Sequence, residues 1–168
     1  MLLNMSSGIA SSTEGSFYAT IFLKLMERPH FVFQHELLAA HGLSLPRVFP
    51  VPGGHHDYSN SNTVLLGEIA EKVTSKPYAR LLNQRLFRPL GMKRSFLAQR
   101  GVLRVPYAQR YQELNAGQFL KTNWGISQAW AAGGVASTLD DGRRWVAALG
   151  TGQGDTAGSF RDNPFDRA

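Results

Sequence analysis

A mostly helical domain is what the sequence predicts, and three observations carry that expectation. Residues 63–73 form an amphipathic run, with Leu65, Leu66, Ile69 and Val73 at helical spacing. A second apolar run, using Tyr78, Leu81, Leu82, Leu86 and Phe87, follows after only a Thr74-Ser75-Lys76 break. Phe17, Ile21 and Leu25 recur four residues apart nearer the N-terminus. With 168 residues and 43% apolar content the chain is long enough for one core and lies within the usual span of a single domain.

In chain order, Leu2-Leu3-Asn4-Met5-Ser6-Ser7-Gly8-Ile9 places two apolar residues at the very start, followed by a small polar turn. It has no basic patch leading into an apolar run and does not resemble a signal peptide. Residues 17–27 read as a helix ending near Pro29, with a strand possible for the aromatic first half. Residues 33–41 read as a second helix, with Phe33, Leu37 and Leu38 apolar and Gly42 as its stop. Three prolines and two glycines in residues 43–54 predict an extended connection into a turn.

The helix at 63–73 is expected to be capped by Ser61 or Asn62, to pair Glu68 with Lys72, and to carry Gly67 because a neighbour packs close to it. Pro77 suits the first turn of the next helix, which Pro89-Leu90-Gly91 stops, so the two helices should meet at a corner lined by leucines. Residues 95–130 show no sustained period and read as a long aromatic-bearing loop. Small residues 131–138 allow close backbone approach, and Ser137 or Thr138 can cap a last helix whose apolar face is Trp145, Val146 and Leu149. Thr138 with Asp141 approximates a capping box. Residues 151–168 are polar and glycine-rich and read as a disordered or truncated tail after a domain at 1–150.

Composition removes several function classes. The absence of cysteine excludes disulfides, thiolate chemistry and cysteine-ligated metal. No apolar stretch approaches the roughly 18 to 20 residues of a membrane span. Nine Lys or Arg residues and no acid fall between Lys76 and Arg110, but prolines and glycines interrupt them and no aromatic-basic repeat appears. They read as a solvated basic face, compatible with an anionic cell-envelope polymer, and not as a nucleic-acid site. His30, His35, His41, His55 and His56 lack metal-ligand spacing, and no nucleotide fingerprint occurs, so no metal and no cofactor are expected.

Serine chemistry requires a base beside the hydroxyl and donors for the oxyanion. There is no Gly-x-Ser-x-Gly elbow, and His56, Asp57 and Ser59 lie too close in sequence to form a relay, which is normally assembled from distant segments. A third arrangement uses a lysine-activated serine and an assisting tyrosine, and Tyr58 and Asn60 suit its middle part.

The motifs themselves point further. Pro52-Gly53, Tyr58-Ser59-Asn60-Ser61-Asn62, Leu65-Leu66-Gly67-Glu68-Ile69, Lys76-Pro77-Tyr78 and Pro89-Leu90-Gly91-Met92 resemble the central region of the serine β-lactamase and penicillin-binding protein family, in its class C and D-alanyl-D-alanine carboxypeptidase-like branch. Leu2-Leu3-Asn4-Met5-Ser6-Ser7-Gly8 resembles the family's Leu-Leu-x-x-Thr-Ser-Gly segment, and Ala132-Gly133-Gly134-Val135-Ala136-Ser137-Thr138-x-x-Asp141 its later Gly-Gly-x-x-Ser-Thr-x-x-Asp segment. The pieces occur in family order.

The resemblance implies an α+β fold, here mostly the helical domain of a β-lactamase/transpeptidase-like fold with most of the antiparallel sheet missing. It implies an acyl-serine hydrolase acting on a β-lactam, a peptidoglycan-like peptide, or a small ester or amide, in a periplasmic, extracellular or envelope setting. Tyr58 would assist proton transfer, Asn60 would bind substrate and the catalytic lysine, and Ser59 would be a spacer. A phenol needs a nearby cation for that work, because its free pKa is about 10. No serine in the chain is followed by lysine three residues later, and no Lys-Thr-Gly or His-x-Gly motif follows Ser137; Lys121-Thr122-Asn123 is an imperfect look-alike on the wrong side. The expectation is therefore a central fragment that is inactive alone. The competing expectation is a noncatalytic interaction or envelope-glycan-binding module.

Overall fold

The computed structural model describes residues 1–98, 103 and 106–151. The chain divides into two compact units, Met1–Tyr78 with Ala98–Val135, and Ala79–Leu97 with Ala136–Ala168. The tail expected at 151–168 lies outside the described residues except for Thr151, as do Arg100 and Arg104 of the basic stretch.

The first unit is built on three helices: α1 (Gly15–Glu27), α2 (His35–Ser44) and α3 (Asn60–Thr74). The Phe17-Ile21-Leu25 face of α1 turns inward, with Ile21 and Leu25 buried. In α2 the buried residues are Leu38, Ala39 and Gly42, while Leu37 is exposed. Gly42 does not stop the helix. It lies within it, and a Cβ there would collide with the Ser61 side chain, so its missing side chain brings α2 against α3.

Helix α3 differs from its sequence reading in which residues it buries. Its buried residues are Ser61, Asn62, Val64 and Gly67; Ile69 and Val73 are exposed. Ser61 and Asn62 are not caps: Ser59 is the N-cap, without a side-chain capping bond, and the two polar residues sit in the first turn tying it to the chain's start. Gly67 is packed as anticipated, since a Cβ on it would stand 2.7 Å from both Ala131 Cβ and Trp130 Cζ3. Glu68 faces His35 instead of Lys72. Ser75, at φ 53°, ends the helix in the left-handed region.

The aromatic-rich segment expected as a loop contains an antiparallel hairpin, β2 (Arg110–Asn115) paired with β3 (Gln118–Thr122), turning at Gly117 with φ 81°. The short helix α5 (Trp130–Gly133) then packs on α3.

The second unit starts in α4 (Tyr78–Leu82), which opens directly after Pro77 and runs into a π-helical turn at Asn83–Phe87. Gly91, at φ 67°, closes that segment, and β1 (Phe96–Leu97) pairs with β4 (Val135–Ala136). The last helix, α6 (Leu139–Thr151), is anchored through Asp141, which accepts hydrogen bonds from Arg94 N at 2.7 Å and Ser95 Oγ at 2.8 Å. Thr138 Oγ1 accepts from Asp141 N at 3.3 Å, which is half of the predicted capping box; the carboxylate is used elsewhere. Val146 is exposed, so the predicted apolar face of α6 is not its inner face, where Asp141 and Ala148 are buried. Lys76, Arg80, Arg85, Arg88, Lys93 and Arg94 are exposed.

Candidate functional site

A lattice of small polar side chains holds the start of α3 against residues 5–13. Ser61 Oγ donates to Ala10 O at 2.7 Å and accepts from Ser12 N at 2.9 Å. One residue on, Asn62 Oδ1 accepts from Ser7 Oγ at 2.6 Å. Backbone bonds add to these: Gly53 N to Ser6 O at 2.7 Å and Asp57 N to Met5 O at 2.9 Å. Buried hydroxyls and amides satisfied in this way fix position more sharply than apolar contacts, because each bond is directional and costly to leave unmade. This is why a helix start so poor in apolar residues is nevertheless buried.

The residues held by this lattice are those the sequence singled out. Asn60 Nδ2 donates to Thr13 Oγ1 at 2.6 Å, and Asn60 N donates to Ser11 Oγ at 3.3 Å. The Tyr58 hydroxyl donates to Asn60 Oδ1 at 2.8 Å, so the phenol and the carboxamide form one unit. Tyr58 is 57% exposed, and the hydroxyl therefore stands at the surface of a fixed support. Between them Ser59 is fully buried, with an Oγ that has no hydrogen-bond partner among the described residues.

Asn60 lines a cleft of about 390 Å³ in the first unit, together with Thr13, Glu14, Tyr18, Gln128, Ala129 and Ala132. The cleft is bounded by the start of α1, the start of α3 and the turn entering α5. Glu14 supplies its one carboxylate, an exposed group at the N-cap of α1. Ala129 and Ala132 leave an apolar wall with little side-chain bulk.

Sequence reading named Tyr58 and Asn60 as candidates but not the residues that surround them. Thr13 and Glu14 carry no motif of their own, and 47 residues separate Thr13 from Asn60. Ala132 fell within a quoted motif segment without being assigned to the site. Among the described residues no group of His, Asp or Glu is arranged to hold a metal ion, and no helix is long and apolar enough to cross a membrane.

The sequence pattern of the family described as Beta-lactamase matches residues 1–162. A D-aminopeptidase of Brucella anthropi is 28% identical over 110 residues, which cover 66% of this chain and 21% of that protein. The crystal structure of a D-stereospecific amidohydrolase from Streptomyces sp. superposes with a TM-score of 0.87 at 29% identity, over 96% of this chain and 48% of that one. A D-amino acid amidase from Ochrobactrum anthropi SV3, solved with L-phenylalanine amide, gives a TM-score of 0.69 at 27% identity, over 90% of this chain and 43% of that one. The chain thus spans about a fifth of the curated relative and about half of the similar structures.

Proposed function

The chain belongs to the Beta-lactamase family, and from that premise we propose that it forms the Tyr-x-Asn side of an acyl-serine hydrolase site for amides of D-configured amino acids. Its fold is the α+β fold of β-lactamase/transpeptidase-like hydrolases, present in part. The observation that carries the proposal is Asn60, which lines the cleft, is tied to Ser11 and Thr13, and accepts the Tyr58 hydroxyl. The substrate class is supported by the names of three similar proteins, a D-aminopeptidase, a D-stereospecific amidohydrolase and a D-amino acid amidase.

In the proposed reaction Tyr58 acts as the phenolate, ionised by the lysine of a Ser-x-x-Lys segment; the serine oxygen attacks the amide carbonyl carbon while its proton passes to the Tyr58 oxygen. The C–N bond then breaks, and the departing nitrogen takes that proton. Water next attacks the acyl-serine ester, giving its proton back through the same oxygen and releasing the acid with the serine restored. Asn60 hydrogen-bonds the substrate and steadies the phenol through its 2.8 Å bond. Glu14, the one acid lining the cleft, is the counter-ion for the free α-ammonium of the substrate.

No Ser-x-x-Lys pair occurs among the 168 residues, so the 168-residue chain by itself is proposed to be silent toward amides and β-lactams. The test has two arms. The chain alone is incubated with a labelled β-lactam and examined by intact mass, where a serine-linked adduct would overturn the proposed silence. The chain joined behind a Ser-x-x-Lys-bearing segment is assayed on D-phenylalanine amide, where Tyr58→Phe should lower kcat/KM by about 10²- to 10⁴-fold. Glu14→Gln should raise KM for the free amine and leave an N-acetylated substrate unaffected.

A further inference from the structure

We propose that His35 is a positioning residue for the cleft: by stacking on Trp130 it fixes the wall that Ala129 and Ala132 present to the substrate. Its functional meaning rests on the cleft being a substrate site, whereas its geometry stands on α2, α3 and α5 alone.

Trp130 is the reason to look beyond the cleft. It is 4% exposed and sits at φ 29°, a backbone region that bulky residues seldom occupy and keep only when their surroundings leave no alternative. The surroundings here are specific. The His35 imidazole lies flat on the indole, with centroids 3.8 Å apart and planes 5° from parallel. Gly67 leaves room for the ring edge, since a Cβ there would come within 2.8 Å of Cη2. The Tyr78 ring closes another side at 5.3 Å.

His35 is itself held in place. Its Nδ1 lies 3.4 Å from Glu68 Oε1, and its Nε2 lies 3.6 Å from Glu36 Oε1 and 3.9 Å from Glu71 Oε2. Glu71 is fixed in turn by accepting the Tyr78 backbone N–H at 2.5 Å. The imidazole is thus oriented by its Glu68 contact and flanked by the carboxylates of Glu36 and Glu71, and passes that orientation to the indole.

The indole's position reaches the cleft through a short, stiff piece of chain. Ala129 and Ala132 flank Trp130 and line the cleft, and Ala132 N donates to Ala129 O at 2.6 Å across it. Gly134 N closes the next turn on Trp130 O at 2.7 Å. A tilt of the ring therefore moves the apolar wall opposite Asn60. His35 does not line the cleft and touches no substrate position, so its effect is through Trp130.

The test uses the full 168-residue chain, ¹⁵N-labelled, with the Trp130 indole N–H as a buried reporter that has no hydrogen-bond partner among the described residues. His35→Ala is expected to move the Ala129, Ala132 and Gln128 amide cross-peaks and that indole peak. His35→Phe, which restores a flat ring, should bring them back toward the wild-type positions. D-phenylalanine amide should bind roughly tenfold or more weakly to the alanine variant and near wild type to the phenylalanine variant. Should His35→Ala fail to fold, Glu68→Ala, which frees Nδ1 while leaving the ring stack, should shift the same peaks by a smaller amount. The proposal is overturned by a folded His35→Ala chain with unmoved wall peaks, by His35→Phe peaks displaced as far as those of alanine, by unmoved peaks in Glu68→Ala, or by a moved wall with unchanged amide affinity. The peaks decide the positioning role even when wild type binds no amide, an outcome that counts against the substrate reading alone.

Discussion

Replacing Gly67 by alanine sets two effects of known size against each other. Gly67 lies mid-helix in α3, where alanine is intrinsically better by about 1 kcal/mol. The added Cβ, however, would stand 2.7 Å from Ala131 Cβ and 2.7 and 2.8 Å from two Trp130 ring atoms. All three distances are well inside carbon–carbon contact, and none of these atoms is the free end of a flexible side chain. Overpacking of this kind costs about 1–3 kcal/mol, so the net change for Gly67→Ala should be a loss of up to about 2 kcal/mol. Gly142, in α6, is the control, because a Cβ there meets nothing within 4 Å. Gly142→Ala should therefore stabilise by up to about 1 kcal/mol. Urea unfolding followed by helical circular dichroism measures both. Equal stabilisation by the two substitutions would refute the reasoning that Trp130 and Ala131 are rigidly seated on α3.

Four further outcomes follow from the same structure. Asp141→Ala leaves the buried Ser95 hydroxyl and the Arg94 N–H without their charged acceptor and should destabilise the second unit by about 3 kcal/mol, read from denaturant midpoints. Burial holds the Tyr78 phenol above its usual 10.0, so its neutral form contributes stability that is complete below the unfolded phenol value and is lost as pH rises through the higher folded value. Tyrosinate absorbance should accordingly show one late-titrating tyrosine that Tyr78→Phe removes. The Arg143 guanidinium, then that of Arg144, holds the Asp140 carboxyl below its usual 3.8. The contribution of that exposed carboxylate is present above the unfolded value and lost as pH falls through the lower folded one, which a carboxyl ¹³C titration checks. Tyr58→Phe, finally, should abolish most turnover of the chain joined behind a Ser-x-x-Lys-bearing segment without moving the denaturant midpoint, because the hydroxyl is at the surface.

How much of this was legible in the sequence varies with the physics of each element. Helix α1 was legible because Phe17, Ile21 and Leu25 both repeat at helical spacing and turn inward, with Ile21 and Leu25 fully buried. The position of α3 was legible too, but its inner face was not. Apolar spacing nominated Ile69 and Val73, which are exposed, whereas Ser61 and Asn62 are buried because they cross-link α3 to residues 7–12. A period count sees hydrophobicity and cannot see a hydrogen-bond partner some 50 residues away. The hairpin of β2 and β3 was missed because charged and apolar residues do not alternate cleanly along it; Asn115-Ala116-Gly117 was the available turn signal.

The candidate site divides in the same way. Tyr58 and Asn60 are adjacent enough to be read as a motif, and their 2.8 Å bond is local. Glu14, Gln128 and Ala132 reach the cleft only through the packing of three separate segments, so no local pattern marks them together.

The central claim, that the cleft beside Tyr58 and Asn60 is the substrate site, is tested most directly by titrating D-phenylalanine amide into the ¹⁵N-labelled chain. Saturable shifts are expected at the Asn60 side-chain amide, Thr13, Glu14 and Ala132, weakened by Glu14→Gln. Shifts confined to other surfaces, or none at saturating amide, would contradict it.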